Sequence, residues 1–151
     1  MESTNKAVAL LGDLGNAISR LAEALKQPET EFIRDAAIQR FEFCFELAWK
    51  TIVLVARFEG QDCTSPRTAF GVAWQNRWLT EEAIWLDMLE ERNRTSHTYH
   101  EATAKEVFNN LPGYLPHLGG LRITLAARID EIKRSEKKDT EANDAGGTEG
   151  G

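Results

Sequence analysis

Val8, Leu11, Leu14, Ile18, Leu21 and Leu25 recur at spacings of three and four. That period gathers them on one face of a helix. Pro28 ends the pattern, and Thr30 with Glu31 reads as the N-cap and first residue of a second helix, the carboxylate lying near the positive helix end. The second segment runs from about Thr30 to Phe58 and stops at Gly60, placed as a C-terminal glycine. At the α-helical rise it spans roughly 40 Å. Its middle, Phe41-Glu42-Phe43-Cys44-Phe45-Glu46-Leu47-Ala48-Trp49, is apolar on more than one side. Such a helix has two surfaces to bury, one toward its own core and one toward a partner. Glu46 and Lys50, four apart in the favourable order, read as a structural pair worth roughly 0.2–0.5 kcal/mol.

Ser65-Pro66 opens a third, short helix in N-cap then N1 order, continuing through Phe70 and Trp74 toward Trp78. Thr80 is the expected N-cap of the next, with Glu81 and Glu82 in its first turn. The stripe Ile84, Trp85, Met88, Leu89 then leads into Glu90-Glu91-Arg92-Asn93-Arg94. A last helical region begins near Thr103, is expected to kink or break at Leu111-Pro112-Gly113, and resumes with Leu118, Leu121, Leu125, Ile129 and Ile132. No segment alternates with period two, so no sheet is expected. After Ser135 no apolar residue is larger than alanine, and such a stretch cannot offset its ordering entropy. The pattern predicts an all-α, up-and-down bundle of four or five helices over 1–134 and a disordered acidic, Gly-rich tail over 135–151.

Composition narrows the function classes. A chain of 151 residues with 42% hydrophobic and 28% charged residues is sized for one domain with a core that needs no staples. Its net charge of −6 argues against a protein that coats nucleic acid by charge, and DNA is not an expected partner. Half of that acidity lies in the tail, where five acids face two lysines; the body, with 19 acids and 16 bases, also carries −3. The longest apolar run, Ile52 to Ala56, is far below the ~20 residues a bilayer requires. Met1-Glu2-Ser3-Thr4-Asn5-Lys6 lacks the basic and apolar regions of a signal peptide. Cys44 and Cys63 have no metal-ligand spacing. A cytoplasmic chain with free thiols is expected, Cys44 inert within the aromatic stripe and Cys63 in a loop open to solvent.

The stretch richest in chemistry is Arg92-Asn93-Arg94-Thr95-Ser96-His97-Thr98-Tyr99-His100. On a continuous helix Arg92 and Tyr99 nearly align, whereas His97 lies roughly 140° from Arg92. The three share a pocket only if the helix loosens or a second subunit contributes. The plain alternative is a helix end whose polar residues face solvent. His97 and His100 at i, i+3 beside Glu101 lack a visible third ligand, so no metal is expected. Trp49, Trp74, Trp78 and Trp85 read as core or interface anchors rather than as base-stacking platforms. No Gly-rich phosphate loop is present and no cofactor is expected.

Taken together, Gln39-Arg40-Phe41-Glu42-Phe43-Cys44-Phe45-Glu46-Leu47-Ala48-Trp49-Lys50, Gly60, Ser65-Pro66-Arg67, Trp85, Met88-Leu89-Glu90, Arg92-Asn93, Thr95-Ser96-His97-Thr98-Tyr99 and Glu101 resemble successive blocks of the nucleotidyltransferase substrate-binding proteins. The resemblance covers roughly residues 5–133. That family falls within the HEPN group, whose hallmark of Arg, four to six residues, His, then x-Tyr is met here by Arg92, His97 and Tyr99. The resemblance implies an HEPN-like bundle that forms a homodimer with the two motifs facing across a cleft. It also implies a companion to a separately encoded minimal nucleotidyltransferase, since no Gly-Ser followed by Asp-x-Asp is present for transfer itself. In that role Arg92, Asn93, Arg94, Ser96, His97 and Tyr99 would bind nucleotide or another phosphate-bearing substrate. The alternative is a metal-independent endoribonuclease toxin, with Arg92 and His97 catalytic and Tyr99 the acceptor of a silencing AMP. A third reading is a structural helical dimer. Leu111-Pro112-Gly113 departs from the family pattern and bears on the shape of the C-terminal half.

Overall fold

Each helix boundary has a local cause. In the computed structural model, which describes residues 4–147, α1 is Thr4–Leu25, α2 Glu31–Phe58, α3 Pro66–Gln75, α4 Glu82–Arg94 and α5 Glu101–Gly147, with one 3-10 turn at Thr95–His97. No strand occurs among the described residues. Expectations that fall on residues 1–3 and 148–151, the ends of the leader reading and of the tail, lie outside the described residues.

Thr30 caps α2 as its sequence predicts: its hydroxyl accepts from the Ile33 N–H at 3.1 Å. At the other end Gly60 takes φ +71°, and the N–H groups of Gly60 and Gln61 reach the carbonyls of Arg57 and Ala56, both at 3.0 Å. This is a Schellman turn, which glycine enters without a Cβ penalty. Ser65 and Thr68 form a reciprocal capping box ahead of α3, with Pro66 at N1.

Three boundaries differ from the sequence expectation. α3 stops at Gln75, because a second Schellman turn bonds the Trp78 N–H to the Ala73 carbonyl at 2.8 Å and turns Trp78 into the core. That turn puts Arg77 at φ +62°, a left-handed conformation glycine favours. Arg77→Gly is therefore expected to stabilise the fold by about 0.5–1 kcal/mol, read as a higher urea midpoint at unchanged slope. A lower midpoint would mean that the arginine side chain holds contacts worth more than its backbone strain. α4 begins after Glu81, which makes no side-chain cap bond, so Thr80 lies one residue outside the cap position.

α5 begins at Glu101 and passes through Pro112 and Pro116 without a break. The buried series Val107, Leu111, Tyr114, Leu118, Leu121, Leu125, Ile129 and Ile132 keeps its spacing of three and four straight across both prolines. Both prolines sit on the exposed face. Each removes one intrahelical N–H there, while packing on the opposite face carries the helix onward. The expected disordered tail is also corrected: its described residues, 135–147, extend α5. Lys, Glu and Ala are strong helix formers, and lengthening an existing helix needs no new nucleus. No residue from 133 to 145 is buried, so this extension adds nothing to the core.

α1, α2 and the first half of α5 pack as a three-helix unit, with α3 and α4 laid against α2 and α5. Leu14, Leu21, Phe41, Phe45, Ile52, Leu118 and Leu125 fill the centre. A chain of rings runs through it, Tyr114 stacked on Phe41 at 5.7 Å, Phe45 edge-on to Phe70 at 5.7 Å and Phe70 tilted on Trp85 at 5.2 Å. Cys44 is fully buried, and burial pushes its thiol up to about 12. Cys63 is in a loop as predicted, yet it is only 8% exposed, because the loop folds onto α2; burial again raises its thiol, and Asp62 adds to the rise. No helix among the described residues is long and apolar enough to cross a membrane.

Candidate functional site

Three hydroxyls end α4. Thr95 Oγ1 donates to the Arg92 carbonyl at 2.6 Å, Ser96 Oγ to the Asn93 carbonyl at 2.9 Å and Thr98 Oγ1 to the Thr95 carbonyl at 3.1 Å. Each engages a carbonyl at the helix end, where the chain tightens into the 3-10 turn and then reverses into α5. The regular α-helix thus ends within the motif, and Arg92 and Tyr99 are no longer related by helical phase.

Arg92, in the last turn of α4, is directed at α2. Its Nη2 donates to Glu46 Oε1 at 3.1 Å, and its guanidinium carbon lies 5.0 Å from the centre of the Phe45 ring. One face of the fork is thereby set against an aromatic ring and one edge is held by a carboxylate. Glu46 does more than the i, i+4 pairing read from the sequence. Its second oxygen accepts from Trp49 Nε1 at 3.1 Å and stands 3.7 Å from Lys50 Nζ. One turn earlier, burial raises the Glu42 carboxyl, with Arg92 opposing and Glu46 adding to the rise.

Arg94 turns the other way, onto α5. Nη1 pairs with Glu91 Oε2 at 3.1 Å, and Nη2 binds Glu106. Glu91, only 3% exposed, is the buried acid of the region. Its Oε1 accepts from Asn110 Nδ2 at 2.7 Å and from Tyr114 Oη at 2.9 Å. Burial, followed by the bond to Glu91, raises the Tyr114 phenol and keeps it the donor. The two arginines of the motif therefore stand on different supports and do not form one cationic pair within the chain.

Tyr99 and His97 do come together. Tyr99 is 75% exposed, with Oη 3.4 Å from His97 Nδ1 and its ring 4.4 Å from that of His100. His97, His100 and Asn93 are not buried either. Of the six residues predicted to bind substrate, His97 and Tyr99 share one surface, Arg92 lies toward α2 and Arg94 toward α5. Ser96 uses its hydroxyl on a carbonyl, and Asn93 stands at the end of α4. Among the described residues no three His, Cys, Asp or Glu side chains converge as a metal would need.

The sequence reading missed Glu42, Glu91, Asn110 and Tyr114 and gave Glu46 too small a part. Two carboxylates four residues apart inside an aromatic run were the available sign, since a charge in such a run needs a partner.

The model of the family "Nucleotidyltransferase substrate binding protein like" matches residues 10–127. A solved structure from Thermus thermophilus is 32% identical, covering 77% of this chain and 98% of its own, with a TM-score of 0.67. The tri-AMPylated HEPN toxin of Shewanella oneidensis, solved in complex with its MNT antitoxin, is 18% identical over 83% of this chain and 99% of its own, with a TM-score of 0.68. A Haemophilus influenzae structure, described as revealing the fold of a substrate binding domain of a nucleotidyltransferase, is 22% identical over 82% and 99%, with a TM-score of 0.62. None of the curated proteins matches the sequence. The fold is HEPN-like, and the chain belongs to the nucleotidyltransferase substrate-binding protein-like family.

Proposed function

We propose that this chain is the non-transferase partner of a separately encoded minimal nucleotidyltransferase, and that the Arg92–Tyr99 segment is the face it offers to nucleotide. The observation that carries the reading is Tyr99: a phenol 75% exposed, 3.4 Å from an imidazole nitrogen, directly after an arginine-bearing helix end. In the homodimer two such faces oppose one another across a cleft. The exposure of Phe32, at 84%, and of Phe43, at 48%, supports the second face of α2 as the surface for a second copy.

The same phenol supports the reading in which the partner silences this chain by adding AMP. Tyr99 Oη attacks the α-phosphorus of ATP, the bond to the bridging oxygen breaks, and pyrophosphate leaves. His97 Nδ1, in the tautomer with that nitrogen unprotonated, takes the phenolic proton. ATP and its metal belong to the transferase. The chain without AMP is then a metal-independent ribonuclease, with His97 as the general acid or base and Arg92 on the phosphate. The specific observation favouring this second reading is that His97 is exposed and its ring meets the exposed Tyr99.

Co-expression with the transferase encoded beside it tests the partner. The expected result is a mass gain of one or more adenylyl groups, lost in Tyr99→Phe; an unchanged mass would refute the modification. Expression without the partner separates the two readings. Slowed growth and cut RNA that His97→Ala abolishes would establish the ribonuclease, whereas equal growth and intact RNA in both leave the binding role.

A further inference from the structure

Where the connection between α3 and α4 meets α5, a cavity of about 260 Å³ opens between them. None of its walls belongs to the Arg92–Tyr99 segment. Trp78 from the connection and Trp85 from α4 supply two indole walls, and Leu121 of α5 a third apolar surface. Trp85 is 1% exposed and Trp78 7%. Trp49 donates its indole N–H to Glu46, but among the described residues nothing accepts from the N–H of Trp78 or Trp85. Nor is any buried side-chain nitrogen sealed in without a partner. The small part of Trp85 that solvent reaches therefore includes its N–H, and the cavity is the opening that its ring lines. Thr80, Thr124 and His117 border the same space, and their side chains also make no bond among the described residues.

Two further facts bear on what the cavity holds. From Val107 to Leu121, α5 carries no Asp, Glu, Lys or Arg, although 28% of the chain is charged. Gly120, which borders the cavity, lies inside α5, where glycine is a poor helix former. The fold does not call for it, since a Cβ there would meet no atom within 4 Å.

We propose that this cavity is a binding site for a small uncharged aromatic ligand that bears a hydrogen-bond acceptor: one or two fused rings set against Trp78, with a ring nitrogen or carbonyl accepting from Trp85 Nε1. An indole N–H only donates, so the ligand must bring the acceptor. The threonine hydroxyls and the imidazole adapt to its remaining polar atoms. A full charge would be desolvated there with no Asp, Glu, Lys or Arg in the walls to compensate it. The volume lies just under the roughly 300–1,000 Å³ of drug-sized sites, which limits the ligand to about two rings. The site is independent of the role given to Tyr99.

Quinoline and indole provide the test, being alike in size and apolarity while one brings an acceptor and the other a donor. They are titrated above neutral pH, where quinoline is uncharged, into the full chain labelled with nitrogen-15, its indole N–H signals assigned through bonds. Quinoline is expected to shift the Trp85 N–H saturably downfield and to move that of Trp78, while Trp49 and the amides of residues 97–99 stay in place. Indole and quinoline-4-carboxylate should bind at least ten-fold more weakly. Gly120→Leu, which fills the cavity from an exposed helical position, should weaken quinoline at least ten-fold at an undiminished melting temperature. Three results would overturn the proposal: a Trp85 signal unmoved by quinoline, indole binding as tightly as quinoline, or quinoline bound equally well by Gly120→Leu.

Discussion

Glu91→Leu is expected to cost on the order of 3 kcal/mol of folding stability, a large share of the 5–15 kcal/mol typical of a domain. Glu91 is 3% exposed, and its carboxylate accepts from Asn110 and Tyr114 while pairing with Arg94. Leucine fills similar space but accepts nothing. The Tyr114 hydroxyl, in a side chain 9% exposed, would then lose its acceptor and could not readily turn to water. An orphaned buried donor costs about 1–3 kcal/mol, whereas Asn110 is exposed and can turn its amide to water. The Arg94 pair contributes little, because Arg94 is 38% exposed and keeps Glu106. Glu91→Gln retains one oxygen for Tyr114 and should cost about half as much. Urea unfolding of the three proteins at one pH supplies the ranking. A leucine variant as stable as the wild type would mean that this polar cluster is replaceable by packing, as some buried ion pairs are.

That cluster also explains how the site is held. Glu91 precedes Arg92 by one residue, and its bonds cross to α5 nineteen and twenty-three residues further along the chain. Arg92 in turn is tied to α2, forty-six residues before it. α4 is thus clamped on both sides at its last turn, just where three hydroxyls unwind it.

These long-range ties mark the limit of what the sequence disclosed. The bundle was legible because Leu11, Leu14, Leu21 and the series from Val107 to Ile132 repeat at helical spacing. Thr30, Gly60 and Ser65-Pro66 were legible because capping is local chemistry. Pro112 does not break the helix, because a rule about one residue was set against eight buried residues at helical spacing, and packing carried the helix onward. The tail misled because an absence of apolar residues excludes burial, not helix. For the site, the motif from Arg92 to Tyr99 was visible in residue types, and its spacing left open whether a loosened helix or a second subunit would bring the three side chains together. The separate destinations of Arg92 and Arg94 could not, since neighbouring arginines look alike until their acids are located in space.

Arg92→Ala is expected to slow adenylyl addition to Tyr99 by at least 30-fold while leaving the fold intact, which corresponds to roughly one lost charge-assisted hydrogen bond to phosphate. Glu46 occupies one N–H of Arg92 and Phe45 one face of its plane. The guanidinium has further N–H groups to offer, so the ion pair aims the fork without consuming it. Arg92→Lys should recover less than about a tenth of the lost rate, because an ammonium cannot fork between Glu46 and a phosphate. Glu46 separates aim from charge. Glu46→Gln keeps an acceptor on Arg92 and removes a negative charge near the phosphate, so its rate should equal or exceed that of the wild type. Glu46→Ala releases the fork and should fall between wild type and Arg92→Ala. The pair itself adds little stability, since Arg92 and Glu46 are 34% and 38% exposed, and denaturation midpoints should move far less than rates. Mass spectrometry of the chain after timed exposure to the transferase and ATP supplies the rates. If Arg92→Ala is modified as fast as the wild type, Arg92 is a tie between α4 and α2 and the phosphate must be held elsewhere.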